Sequence, residues 1–137
     1  MNSSCTLKEA VSPWMTADYP AIKKYLNLGT EKLFPKGAIL ISPGVRCNDL
    51  FYIVSGNMKL SLVNYQGEEK LISVIGAGGL IYEGFPQGND CSSVFVTAMG
   101  NCQLIKLTEQ QLTTLLDKDP AVASDILKYL HLKYKML

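Results

Sequence analysis

From Thr30 to Leu107 the apolar residues come in short bursts that alternate with polar ones, the period of a strand with one face buried. Alternation is clearest in Met58-Lys59-Leu60-Ser61-Leu62, which puts Met58, Leu60 and Leu62 on one face. The pattern predicts strands at 31–34, 38–42, 50–55, 59–64, 70–75, 93–98 and 102–107. Turn residues separate them: Pro35-Lys36-Gly37, Pro43-Gly44, Gly56-Asn57, Gln66-Gly67, Gly76 to Gly79 and Gly100-Asn101. Turns at intervals of about ten residues indicate an antiparallel sandwich or barrel, with Ile53, Leu60, Leu62, Ile72 and Leu104 as its core.

The period changes at both ends. Residues 1–15 read as a tail, with Pro13-Trp14 as an anchor. Residues 16–29 predict one helix carrying Tyr19, Ile22, Tyr25, Leu26 and Leu28; Thr16 or Asp18 starts it, Pro20 fits its first turn and Gly29 its end. After Leu107, Thr108-Glu109-Gln110-Gln111 is a capping box leading into a short helix with Leu112, Leu115 and Leu116. Asp119-Pro120 then opens a longer helix. One stripe of it holds Val122, Ile126, Leu130, Tyr134 and Leu137; a second holds Tyr129, Leu132 and Met136. Two apolar faces call for two partners, the β unit and the same helix of a second subunit. The seam expected for that dimer is Tyr129, Leu132, Lys133 and Met136.

Within the β region, Gly76 to Ala98 breaks the pattern with five glycines, a Phe-Pro pair, one Glu and two serines. Glycine lets the backbone approach a bound group, and an irregular loop in a β framework suits a binding site. The alternative reading is a long solvated hairpin loop.

At 137 residues, 47% hydrophobic and 18% charged, the chain has the composition of one soluble globular domain. A net charge of +1 gives no basic field for nucleic acid. Apolar runs such as Leu50 to Val54 are too short to cross a bilayer, and the N-terminus has no apolar signal core, so a cytoplasmic protein with no membrane contact is expected. Cys5, Cys47, Cys91 and Cys102 lack metal-ligand spacing and read as reduced thiols, with Cys102 inside a strand. His131 is the single histidine and has no second ligand near it. No cofactor, metal site or catalytic group follows from this inventory, so an enzyme is the weakest reading.

The order of elements, together with FPKGAILISPG (34–44), DLFYIVSGNMKLSLV (49–63), GEEKLISVIGAGGLI (67–81) and TAMGNCQLIKLT (97–108), resembles the sensor domain of Crp/Fnr-type transcription regulators. EKLIS, the glycines before LI, FPQGN and TAM are most similar to the members that sense chlorinated phenols in halorespiration. The resemblance implies a mainly β fold with helical ends, a double-stranded antiparallel β-roll of the jelly-roll-like, cyclic-nucleotide-binding type over 30–107. In that family 108–137 supplies a short helix and the start of a dimerisation helix, and a helix-turn-helix domain, absent from this chain, reads the DNA.

In the nucleotide-sensing members a Gly-Glu pair meets the ribose and an Arg-Ser pair holds the phosphate. Here Tyr82-Glu83 and Ser92-Ser93 stand at those places, and the chain's one arginine, Arg46, lies in another turn. Without that cation, Glu83 and a phosphate would meet as like charges, which excludes cyclic AMP as effector. The ligand site expected from the resemblance is Val74, Gly79, Leu80, Ile81, Tyr82, Glu83, Gly84, Phe85, Ser92 and Ser93, a pocket for a small non-nucleotide effector, aromatic or otherwise mostly apolar. The chlorophenol sensors carry a Lys where Glu83 stands, so the same aromatic acid is not implied. The expected partners are that small molecule, a weakly bound second subunit, and DNA only through the missing domain. The rival reading is a stand-alone β-roll interaction module with a filled pocket.

Overall fold

The computed structural model describes residues 17–84 and 92–136. Eight antiparallel strands form two four-stranded sheets: β1 (Thr30–Phe34), β2 (Ile39–Ile41), β3 (Leu50–Ser55), β4 (Met58–Val63), β5 (Glu69–Ile75), β6 (Leu80–Ile81), β7 (Val94–Ala98) and β8 (Cys102–Leu107). The strand orders are β1-β8-β3-β6 and β2-β7-β4-β5, the interleaved connectivity of a roll. Helical pieces flank it: α1 (Pro20–Lys23) and a 3-10 turn at Leu26–Leu28 before it, α2 (Glu109–Lys118) and α3 (Pro120–Met136) after it.

The inward-facing positions of both sheets form one core. Ile41, Phe51, Ile53, Met58, Leu60, Ile75, Ile81, Val96 and Leu104 are all buried there, with Leu62 and Ile72 partly buried against them. Cys102 is buried in the same cluster, within a strand as its neighbours suggest. A second core lies between the roll and the helices, built from Tyr19, Ile22, Leu50, Leu80, Tyr82, Leu107, Leu112, Leu115, Val122, Ile126 and Tyr129.

Gly29 ends the 3-10 turn as expected, its N–H donating to Leu26 O at 3.1 Å; its backbone is extended, and a Cβ there would meet Ile105 at 2.4 Å, so glycine is needed for close packing on β8. Two local expectations need correction. The N-terminal helix is two short pieces: Tyr25 leaves helical dihedrals (φ −111°, ψ 9°) as its hydroxyl donates to Asp119 Oδ2 at 2.7 Å. The strand β6, read as loop, forms because Ile81 and Leu80 pair with Phe51 and Tyr52 of β3. Gly78 (φ +85°) makes the turn into it and donates its N–H to Ile53 O at 2.8 Å. The capping box is present: Thr108 accepts from Gln111 N–H at 3.2 Å, and Gln111 Oε1 accepts from Thr108 N–H at 2.9 Å.

Candidate functional site

The chain leaves β6 at Tyr82 and meets α3 immediately. The Tyr82 N–H donates to Tyr129 Oη at 3.1 Å, and Lys133 Nζ donates to the Tyr82 carbonyl at 3.5 Å. Lys133 also forms an ion pair with the Glu83 carboxylate. Tyr129 and Lys133 stand one turn apart on α3, the spacing that puts two side chains on one helix face. The next residue, Gly84, lies against the Cys47–Asn48 backbone, where a Cβ would approach Asn48 Cα and Cys47 O at 2.5 Å. Segment 82–84 is thus wedged between α3 and the turn before β3.

The electrostatics follow from burial. The Glu83 side chain is 6% exposed and that of Lys133 is 19% exposed, so the pair is largely withdrawn from water. Burial pushes the Tyr129 phenol well above its ordinary range, and the Glu83 carboxylate adds to the shift through its charge and a hydrogen bond. Tyr82 is raised likewise, first by burial and then by the Glu109 charge, and its hydroxyl has no hydrogen-bond partner among the described residues. Both phenols stay neutral near neutral pH. The Cys47 thiol is also pushed up, chiefly by burial.

The described residues among those picked from the sequence lie on different faces of the roll. Leu80 and Tyr82 turn their side chains into the helical core, whereas Ile81 faces the roll interior. Val74 pairs with Lys59 and therefore shares the outer face of its sheet; Ser73, opposite Leu60, takes the inward position instead. Gly79 lies at the turn, where a Cβ would strike Ile75 at 2.4 Å. The Ser92 hydroxyl is used locally, accepting from Val94 N–H and donating to Val94 O, both at 3.0 Å. Ser93 is exposed and borders an open cleft of about 530 Å³ with Leu62, Val63, Glu69 and Lys70. Phe85 lies outside the described residues.

The picture of α3 also changes. Tyr129 is 2% exposed within the single chain and Leu132 packs partly against the roll core, so neither lies on an unpartnered face. The outward apolar residues are Leu127, Leu130 and Tyr134. Met136's side chain, Leu137, Cys5 and Cys91 lie outside what is described. Arg46 stands 3.6 Å from Glu109, on the turn before β3. Sequence reasoning missed the partner of Glu83, although Tyr129 and Lys133 at i, i+4 were the available signal. It also missed Asp125, a buried acid between Val122 and Tyr129 on the inner face of α3. Among the described residues, no helix is long and apolar enough to cross a membrane, and no three His, Cys, Asp or Glu side chains cluster to hold a metal.

Residues 31–119 match the family model described as the cyclic nucleotide-binding domain. The cAMP-activated global transcriptional regulator CRP of Salmonella typhimurium is 24% identical over 105 residues, which cover 75% of this chain and 50% of that protein. CRP of Escherichia coli O157:H7 matches to the same extent, so the chain spans about half the length of these curated relatives. Among solved structures, oxidized CprK in complex with o-chlorophenolacetic acid superposes with a TM-score of 0.71 at 26% identity, covering 85% of this chain and 48% of that one. The Thermus thermophilus catabolite activator protein shares the fold, with a TM-score of 0.76 at 20% identity over 88% of this chain and 56% of its own. The interleaved eight-stranded roll, the capped α2 and the long α3 packed on the loop after β6 agree with these likenesses: the chain belongs to the cyclic nucleotide-binding domain family, as a sensor domain of the Crp/Fnr type.

Proposed function

We propose that this domain senses a small non-nucleotide effector at residues 79–84 and passes the signal through α3 to a DNA-binding domain. The observation that carries this reading is the direct hold of segment 82–83 on Tyr129 and Lys133. A ligand that contacts Glu83 competes with Lys133, so binding and the position of α3 are linked by differential contacts. A cyclic phosphate is disfavoured because Ser92 supplies no charge and its hydroxyl closes a turn. Likeness to CprK, whose structure holds a chlorinated aromatic acid, supports an aromatic effector; Glu83, already paired, disfavours a bare anion at the same point.

Two chains then associate through the outward face of α3, at Leu127, Leu130 and Tyr134, in place of the seam drawn from the sequence. Titration calorimetry with cyclic AMP and with o-chlorophenolacetic acid tests the effector class, read together with hydrogen exchange in α3. Binding of the aromatic acid, with faster or slower exchange at 129–133, supports the reading. Micromolar binding of cyclic AMP overturns it. The rival, a β-roll interaction module without an effector, is favoured by the filled position beside Glu83; it predicts that no aromatic acid changes α3 exchange.

A further inference from the structure

The inner face of α3 is held by two different parts of the chain. Its C-terminal half meets Tyr82 and Glu83, as described. Its N-terminal half meets the hook formed by residues 18–25. Tyr25 Oη donates to Asp119 Oδ2 at 2.7 Å, and Lys24 Nζ lies 3.4 Å from the same carboxylate oxygen. Lys128 Nζ donates to Asp18 O at 2.6 Å and sits 5.7 Å from the Tyr19 ring centroid. Between these contacts Asp125, 4% exposed, accepts the Ile22 N–H at 3.0 Å.

That last bond has an unusual role. The α1 helix is four residues long, has Pro20 in its first turn, no acid there, and no side-chain cap from Tyr19. A helix so short does not form alone in water, because nucleation fixes several dihedrals for one hydrogen bond. Its orphan Ile22 amide is satisfied by a carboxylate 103 positions away, on α3. The dependence is mutual, since without that amide the buried Asp125 carboxylate loses a hydrogen-bond donor. Tyr19, Ile22, Tyr82 and Tyr129 also share one core cluster, so the hook and the segment after β6 press on the same helix from adjoining positions.

We infer that the N-terminal hook is capped in trans by Asp125 and coupled through α3 to segment 82–83, so that a shift of α3 released at one end loosens the other. The hook is thus a second control on α3 and a remote reporter of its position, whichever effector the domain takes. The coupling runs through contacts within one chain and does not depend on the ligand reading.

Amide hydrogen exchange on the full chain tests it. Asp125→Ala is expected to speed exchange at Ile22 at least tenfold and to speed the Tyr82 amide as well. Where that variant fails to fold, the isosteric Asp125→Asn is measured in its place and should raise Ile22 exchange less, because it retains an acceptor oxygen. The decisive variant is Lys133→Met alone, whose partners Tyr82 and Glu83 lie away from the hook. It should speed exchange across residues 18–25 several-fold, while Leu60 and Leu104 in the roll core change only by the variant's loss of global stability. Hook amides at wild-type rates in that variant would overturn the coupling.

Discussion

Lys133 and Glu83, fifty residues apart in the chain, form an ion pair that joins α3 to the segment leaving β6. The two partners are unequal. Glu83 is the more buried, and Lys133 has a long stem that can carry its ammonium toward water. Removing one member of a buried pair costs most when the charge left behind cannot reach solvent. Lys133→Met should therefore destabilise the domain by roughly 2–4 kcal/mol, and Glu83→Gln by only about 1 kcal/mol. Urea unfolding of both variants and of their combination checks this. Equal losses for the two single changes would show that the carboxylate reaches water and that the pair is a surface one.

Leu60 sits at 1% exposure in the middle of β4, between Val96 of β7 and Ser73 of β5. Leu60→Ala should cost about 2–5 kcal/mol, through lost burial and the cavity left behind. A loss under about half a kcal/mol in the same titration would place the side chain outside the roll core.

The alternation at 58–62 makes the inward Met58 and Leu60 legible from the amino-acid order alone, because a one-residue slip would put Lys59 in the core, although Ser61 is fully buried as well. The turn glycines locate most strand ends for a similar reason: few residues accept the φ of +91° at Gly56 or +86° at Gly67. The site is less legible. Leu80-Ile81 is too short for a period to register, and its strand character comes from Phe51 and Tyr52, some thirty positions earlier. The face of α3 is misjudged from its sequence because its inner surface is partly polar: Asp125 and Lys133 point at hydrogen-bonding groups, while Leu127 and Leu130 face outward. An apolar-stripe criterion misplaces part of such a helix: Val122 and Ile126 are buried as one stripe requires, whereas Leu130 and Tyr134 of the same stripe face outward.

Three buried tyrosines set a limit at high pH. Tyr19 is pushed up to about 12, by burial first and then by the Asp125 charge, and Tyr82 and Tyr129 are raised in the same direction. The folded state holds these protons more tightly than the unfolded chain, whose phenols titrate near pH 10. The stability they contribute is fully present below about pH 10 and is lost as the pH rises toward 12. Tyrosinate absorbance and circular dichroism should therefore change together in that window as the buried phenols ionise. Complete tyrosinate formation with the dichroism unchanged would show the three phenols open to solvent.

Cyclic AMP should give no binding heat in the micromolar range. Under the proposed site, the phosphate would fall on Ser92, whose hydroxyl is bonded to Val94, and the ribose on Glu83, which is already paired with Lys133. Ser92→Arg alone should not restore binding, because an Arg there gives up the turn that Ser92 closes. A calorimetric titration of wild type and variant decides it, and micromolar affinity in the wild type would mean that another cation serves the phosphate.

The outward face of α3 carries the last prediction. Leu127, Leu130 and Tyr134 are 66%, 41% and 78% exposed and recur at i, i+3 and i+7, which aligns them along one side of the helix. Leu132, chosen from the sequence as a seam residue, is turned partly onto the roll core, so Leu132→Glu would bury a charge and report on folding rather than on association. Leu130→Glu is the informative change. A seam along 17 helical residues is only about 25 Å long, and the apolar area it covers leaves little surplus over the entropy of association. Sedimentation should accordingly show a weak, concentration-dependent dimer for the wild type and a monomer for Leu130→Glu, with the thermal midpoint of the monomeric fold unchanged. Identical sedimentation of the two proteins would remove this face as the contact between subunits, and with it the route by which α3 of one chain would set the geometry of a pair.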